Sequence, residues 1–188
     1  MNRRQVLGIS LVLLLVAAAL VVRHRTVDDD GLAALRAAAA LGPCPASLGP
    51  DLPALTLPCL SGGEPVSLKG PGSGKPVLLN VWGSWCPPCV EEIPALVDLQ
   101  RKAGSRLQVV GVSTEDPQAA ALTFARQYGM RYPSVIDDDG RILRAYRPGP
   151  PVTLFLDPAG HLVYKHSGKF KTAAELEALV REHLGVSL

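Results

Sequence analysis

The sequence predicts an α/β domain built on a mixed sheet, and three features carry that expectation. Val77 to Trp82 and Leu107 to Ser113 are short apolar runs of strand length, each followed by a segment of helical character. Further on, Val152 to Leu156 and Leu162 to His166 flank Asp157-Pro158-Ala159-Gly160, a turn sequence that pairs two strands antiparallel. Strand, helix, strand, helix gives parallel strands with right-handed crossovers, and the hairpin adds antiparallel ones. The 188 residues suffice for one ordinary domain plus a targeting segment. A hydrophobic content of 47% excludes wholesale disorder.

Residues 1–25 read as that targeting segment. Arg3 and Arg4 open it, and Val6 to Val22 is an apolar run interrupted only by Gly8 and Ser10. A run of this length lies at the lower edge of what spans a bilayer, where about 20 residues is typical. Arg23, His24 and Arg25 follow at once, as at the interfacial end of an uncleaved anchor. Ala17 and Ala19 offer a cleavage site for a signal peptide instead, and Arg3-Arg4 also suits a twin-arginine export address. All these readings export the chain, to the outer face of a cell membrane if the segment at residues 6–22 is retained and as a secreted protein if it is cleaved.

Charge excludes one function class. The formal net charge is +2, but Arg3, Arg4, Arg23 and Arg25 are four of the 19 basic residues and no acid precedes Asp28. The remainder therefore holds 15 basic against 17 acidic residues. Such a domain has no basic field for a nucleic acid.

Residues 26–49 read as a linker with a short helix, and residues 50–188 as the folded domain. Asp28 to Asp30 can cap an alanine-rich helix over about Leu32 to Leu41, stopped by Gly42-Pro43. Leu52 to Leu57 and Glu64 to Leu68 alternate enough for two short strands around Ser61-Gly62-Gly63, an N-terminal β-hairpin extension. After the first core strand, the expected helix runs from about Pro87 to Lys102. Asp116-Pro117 starts the next, ending near Tyr128-Gly129. Thr172 and Glu175 form a capping box for a last helix whose Leu176, Leu179, Val180 and Leu184 line one face.

Four cysteines fit an exported chain. Cys44 and Cys59 precede the core in a proline-flanked stretch and are expected to form a structural disulfide, worth about 3 kcal/mol by loop closure. Cys86 and Cys89 form a CxxC pair between a buried strand and a helix. A cysteine at a helix start sees unpaired backbone N–H groups and the positive dipole end, which favour the nucleophilic thiolate. Cys89 lies three residues on, close enough to resolve a mixed disulfide. Pro87 suits the first helical position, and Pro88 stiffens the same turn. A structural zinc site would need two more ligands at matching spacing, which His161, His166 and His183 do not supply. Valine rather than histidine follows Cys89, which excludes a haem-attachment sequence. No metal or other cofactor is expected.

The stretch Asn80-Val81-Trp82-Gly83-Ser84-Trp85-Cys86-Pro87-Pro88-Cys89-Val90-Glu91-Glu92-Ile93-Pro94 resembles the active-site segment of the TlpA/ResA branch of thioredoxin-like proteins. The resemblance covers roughly residues 50 to 185 and implies a thioredoxin-like fold, with a mixed central sheet flanked by helices behind an apolar N-terminal anchor helix. It implies that Cys86 attacks, Cys89 resolves, and Glu92 manages their protons. Pro94 matches the proline that kinks the active-site helix. Pro151 fits the cis-proline opposite the redox pair. Pro150 departs from the pattern, because that position usually carries a backbone N–H that pairs with substrate and proline has none. Trp85 is expected beside the active site and Trp82 in the core. The implied activity is extracytoplasmic thiol–disulfide exchange on protein substrates. A reductant role is expected, in cytochrome c maturation and fed by a membrane thiol-electron carrier. A disulfide-forming oxidant and a peroxidase are the rivals. Peroxidases of the broader fold carry a threonine where this chain has Gly83.

Overall fold

The computed structural model describes residues 30–147 and 149–188. Two units divide the chain, Met1–Leu35 and Arg36–Leu188. Helix α1 covers residues 30–39. The expected anchor at residues 6–22, and the caps Asp28 and Asp29, lie outside the described residues. Among those described, no helix is long and apolar enough to cross a membrane.

A thioredoxin-like α/β fold fills the second unit. Its elements run β1 (Ser47–Gly49), β2 (Thr56–Leu57), β3 (Val66–Lys69), β4 (Val77–Trp82) and α2 (Pro87–Ala103), followed by a 3₁₀ turn (Gly104–Arg106). Then come β5 (Gln108–Thr114), α3 (Gln118–Gln127), β6 (Ser134–Asp137), α4 (Arg141–Ala145), β7 (Val152–Leu156), β8 (Leu162–Ser167) and α5 (Ala173–Leu184). The main sheet has the order β6-β5-β4-β7-β8. Strands β4, β5 and β6 run parallel, whereas β7 pairs antiparallel with both β4 and β8. This is the expected mixed sheet, with the site-bearing strand β4 at its centre.

Alternation along the strands sorts the two faces. Val77, Leu79 and Val81 join Val110, Val112, Val152, Leu154 and Leu156 in one apolar cluster, closed by Leu48, Leu57, Val66 and Leu68 of the small sheet and by Ile142 of α4. The opposite face carries Leu78, Asn80 and Trp82. Both parallel connections advance β4 to β5 to β6, so right-handed crossovers put α2 and α3 on this face. Trp82 stacks there on Phe124 of α3, with ring centroids 5.0 Å apart. Gly111 permits this, because a Cβ at that position would stand 2.6 Å from the indole nitrogen. Asn80 is thus a polar group set in the middle of an apolar helix-covered face.

The N-terminal hairpin takes a different form from the one expected. Strands β2 and β3 do pair antiparallel, Thr56 opposite Ser67, but they join through Pro58–Pro65 rather than a tight turn at Ser61-Gly62-Gly63. Strand β1 adds a parallel third member. Part of the long connection serves another sheet. The Ile136 N–H donates to the Pro58 carbonyl at 2.9 Å, the Leu60 N–H donates to the Ser134 carbonyl at 2.8 Å, and Cys59 bridges Val135. Residues 58–60 thereby cover the outer edge of β6, where unpaired backbone groups would otherwise be exposed. Cys44 and Cys59 are disulfide-bonded, Cα atoms 6.0 Å apart, so residues ahead of β1 are fastened to this edge cover.

The capping box at α5 is present. The Thr172 Oγ1 accepts from the Glu175 N–H at 3.1 Å, and the Glu175 carboxylate accepts from the Lys171 N–H at 2.6 Å. Strand β6 and helix α4 were not expected from the sequence. Asp137-Asp138-Asp139-Gly140 forms a turn, closed by the Gly140 N–H donating to the Asp137 carbonyl at 3.0 Å, and leads into α4: the buried Asp137 carboxylate accepts from the N–H groups of Arg141 and Ile142, each at 2.9 Å.

Candidate active site

Strand β4 ends at Trp82 and delivers Gly83-Ser84-Trp85-Cys86 to the start of α2. Cys86 is the N-cap of that helix, with φ −99° and ψ 101°. Prolines 87 and 88 occupy the first two helical positions, where their missing donors cost nothing. The first N–H of the helix therefore belongs to Cys89, and it is shared between the Cys86 carbonyl at 3.0 Å and the Cys86 sulfur at 3.3 Å. No acidic residue in the first turn offsets the positive helix end. Cys86 and Cys89 are joined in a disulfide, Cα atoms 5.3 Å apart. The two ends of that bond differ in access: Cys86 keeps 2% of its surface open and Cys89 none.

Two polar arrangements hold the loop before Cys86. Asp116, itself buried, accepts from the Ser84 N–H at 2.7 Å, from the Ser84 hydroxyl at 2.8 Å and from the Ser113 hydroxyl at 3.3 Å. Trp85 lies half exposed beside the cysteines, and its indole N–H donates to the Thr114 carbonyl at 3.2 Å. Gly83 makes room for that indole, since a Cβ there would meet its nitrogen at 2.6 Å. The loop is thus tied at Ser84 and at Trp85 to the C-terminal end of β5 and the residues just beyond it.

Glu92 projects from α2 one turn beyond Cys89, on the same side of the helix. Only 2% of it is exposed, and burial pushes its carboxyl up to about 7 despite two opposing N–H donors. Asn80 Nδ2 donates to Oε1 at 2.8 Å, and the Phe170 backbone N–H donates to Oε2 at 3.3 Å. Asn80 also donates to the Thr153 hydroxyl at 3.0 Å. Nearby, Lys169 and Glu91 pair at the surface, so residues 169 and 170 close over the helix start from the β8–α5 side. Burial drives the Tyr132 hydroxyl well above its ordinary range, with the Glu92 charge a second cause.

The peptide bond between Pro150 and Pro151 is cis, and Pro151 is buried at the entry to β7. Val81 pairs with Val152, so Pro151 lies level with the end of β4, next to the turn that carries Cys86. Cys86, Cys89, Glu92, Trp85, Pro87, Pro88 and Pro151 thus converge at one end of the sheet. Cys44 and Cys59 lie apart from it. Asn80, Asp116, Ser84 and Phe170 were missed as members of the site. Asn80 carried a signal, a polar residue inside an otherwise apolar strand run, while Phe170 contributes only a backbone donor that no side chain announces.

Residues 48–165 match the AhpC/TSA family. The chain belongs to that family. Within the AhpC/TSA family it is homologous to proteins named thiol-disulfide oxidoreductase ResA. It shares 31% identity over 115 residues with the one from Bacillus subtilis strain 168, covering 60% of this chain and 62% of that protein. With the ResA of Bacillus anthracis it shares 31% over 122 residues, covering 64% of this chain and 69% of the relative. The matched part therefore spans under two thirds of the B. subtilis protein. Among solved structures, a secreted Mycobacterium tuberculosis disulfide oxidoreductase superposes with a TM-score of 0.57 at 28% identity, covering 69% of this chain and 96% of that one. A thiol:disulfide interchange protein DsbE from Chlorobium tepidum gives 0.60 at 28% identity, covering 72% and 94%.

Proposed function

We propose that this AhpC/TSA-family chain is a thiol–disulfide oxidoreductase acting through Cys86 and Cys89 outside the cytoplasm. The observation that carries the reading is the Cys86 sulfur at the head of α2, accepting from the first helix N–H and bonded to Cys89. A thiolate at that point is stabilised by the same donor and dipole. The names of the ResA and DsbE relatives support the same chemistry.

In the reductant direction, the Cys86 thiolate attacks a substrate disulfide. An S–S bond forms to Cys86 and one substrate sulfur leaves as thiolate. Cys89 then loses its proton and attacks the Cys86 sulfur, releasing the second substrate sulfur. Two electrons have passed to the substrate, and the Cys86–Cys89 disulfide is left behind. Glu92, one helical turn from Cys89 and with a carboxyl that titrates near neutrality, takes the Cys89 proton. Pro151 and Trp85 flank the attacking sulfur and shape the substrate's approach.

The substrates are protein thiols and disulfides. The segment at residues 6–22 tethers the domain to the outer face of a membrane, or is removed to leave a secreted form. A membrane thiol carrier returns electrons, and cytochrome c maturation is the pathway class the resemblance suggests. Equilibration with a glutathione or dithiothreitol couple tests the direction. A midpoint near about −270 mV supports the reductant, and one near about −120 mV assigns the oxidant instead. Failure of any disulfide exchange by the purified protein overturns the whole reading.

A further inference from the structure

The buried amide of Asn80 is bonded on one side only. Its Nδ2 donates to the Glu92 Oε1 and to the Thr153 hydroxyl, while its Oδ1 is buried without a hydrogen-bond partner among the described residues. An amide so placed can be turned by 180° with little change in shape, exchanging its donor and acceptor ends. Turned over, Oδ1 faces Glu92 and Thr153, and Nδ2 takes the unbonded place. Either orientation leaves one amide atom unpaired, so burial does not choose between them. Thr153 does not choose either, because a hydroxyl both donates and accepts. The choice falls to Glu92. A carboxylate oxygen only accepts and matches Nδ2. A protonated Oε1 carries an O–H and matches Oδ1, and against Nδ2 that O–H would face a donor.

We propose that Asn80 is a positioning residue whose amide turns over with the protonation of Glu92, presenting Nδ2 to the carboxylate and Oδ1 to the carboxylic acid. The device gives the buried carboxyl a matched partner in both states. A proton can then enter and leave the site without an opposed donor pair in either. The Phe170 N–H lacks this property, being a donor that suits only the unprotonated oxygen it already holds. The other titratable groups near the carboxyl leave the amide as its adjustable partner. Tyr132 is buried with an unbonded hydroxyl, His166 stacks on Phe170 opposite Thr153 in the sheet, and Glu91 and Lys169 are engaged with each other. Neither Glu92 oxygen has a further donor among the described residues. The assigned role rests on the reading of Glu92 as proton carrier for Cys89, but the turnover itself does not require exchange activity.

The test uses the full oxidised protein and nuclear magnetic resonance. The Glu92 carboxyl carbon and the Asn80 side-chain N–H₂ signals are followed from pH 5 to pH 9. The expected result is one shared midpoint for both, with the Asn80 titration abolished in Glu92→Gln. In Asn80→Ala the Glu92 midpoint is expected to rise by less than about one unit, because the amide bonds both states and only the excess of the charge-assisted bond over the neutral one is lost. Asn80 signals that stay constant while Glu92 titrates would overturn the proposal, as would a rise of about two units or more in a folded Asn80→Ala, the mark of an amide that serves the carboxylate alone. If Asn80→Ala does not fold, the wild-type titration alone decides. Exchange activity is assayed separately on the wild type, so a loss of the oxidoreductase reading is distinguished from a loss of the turnover.

Discussion

Replacing Glu92 by Gln tests whether a carboxyl is held neutral by burial, and stability is the readout. The Glu92 carboxyl ionises near 4.5 in the unfolded chain and at about 7 in the folded one. Between those values the folded state keeps a proton that the unfolded state has released, so stability falls as pH rises through this window. The gap is about 2.5 units, and at about 1.4 kcal/mol per unit the ceiling is about 3 kcal/mol. Glutamine cannot ionise and is spared this loss. Its amide N–H₂ can face the Asn80 Oδ1 once that amide is turned over, while its oxygen accepts from the Phe170 N–H, and any difference left between these bonds and those of Glu92 is an offset independent of pH. Urea unfolding of the oxidised wild type and of Glu92→Gln, at half-unit steps from pH 4 to pH 8, isolates the carboxyl because all other groups are shared. The stability difference is expected to move in favour of the variant by up to about 3 kcal/mol between pH 4.5 and pH 7, and to be flat outside that window. A difference that does not change with pH would refute the reasoning.

Other perturbations read separate parts of the site. Asp116→Ala removes the acceptor for two hydroxyls and one backbone N–H. It should lower stability by about 3 kcal/mol and slow exchange through a loosened Cys86 loop, measured by urea unfolding and stopped-flow kinetics. The Cys44→Ser, Cys59→Ser double variant should lose about 3 kcal/mol and leave the Cys86–Cys89 redox midpoint unchanged, which thiol trapping in graded redox buffers checks. Pro150→Val restores a backbone donor beside the redox pair. Exchange rates with extended peptide disulfides should rise, and unchanged rates across several substrates would remove Pro150 from the docking edge.

How much could be read in the sequence depended on where the information lay. Strand β4 and helix α2 were legible because apolar runs, Pro87-Pro88 and the CxxC spacing all pointed to one local structure. The β7–β8 hairpin was legible for the same reason, its turn residues standing between two clear strands. Strand β6 was not. It is four residues long, flanked by Pro133 and by Asp138-Asp139, and it is stabilised by β5 on one side and by residues 58–60 on the other. Pairings of that kind are tertiary and leave no local pattern. The hairpin around Ser61-Gly62-Gly63 failed for a related reason, because the connection was recruited to cover β6. Within the site, the cysteines and prolines were evident from type and spacing. The burial of Glu92 was not, since a carboxyl on the first turns of a helix is more often solvated. Its environment is assembled by Asn80 and Phe170, 12 and 78 residues away in sequence.

The central claim is that the sulfur at the head of α2 is the nucleophile and its partner one turn on is sheltered. Limiting iodoacetamide on the reduced protein, with peptide mass spectrometry across a pH series, measures this directly. Cys86 should be modified first, with Cys89 untouched, and the reaction should persist well below the ordinary thiol range of about 8.5. Equal labelling of the two cysteines, or a Cys86 that reacts only as an ordinary thiol, would contradict the account.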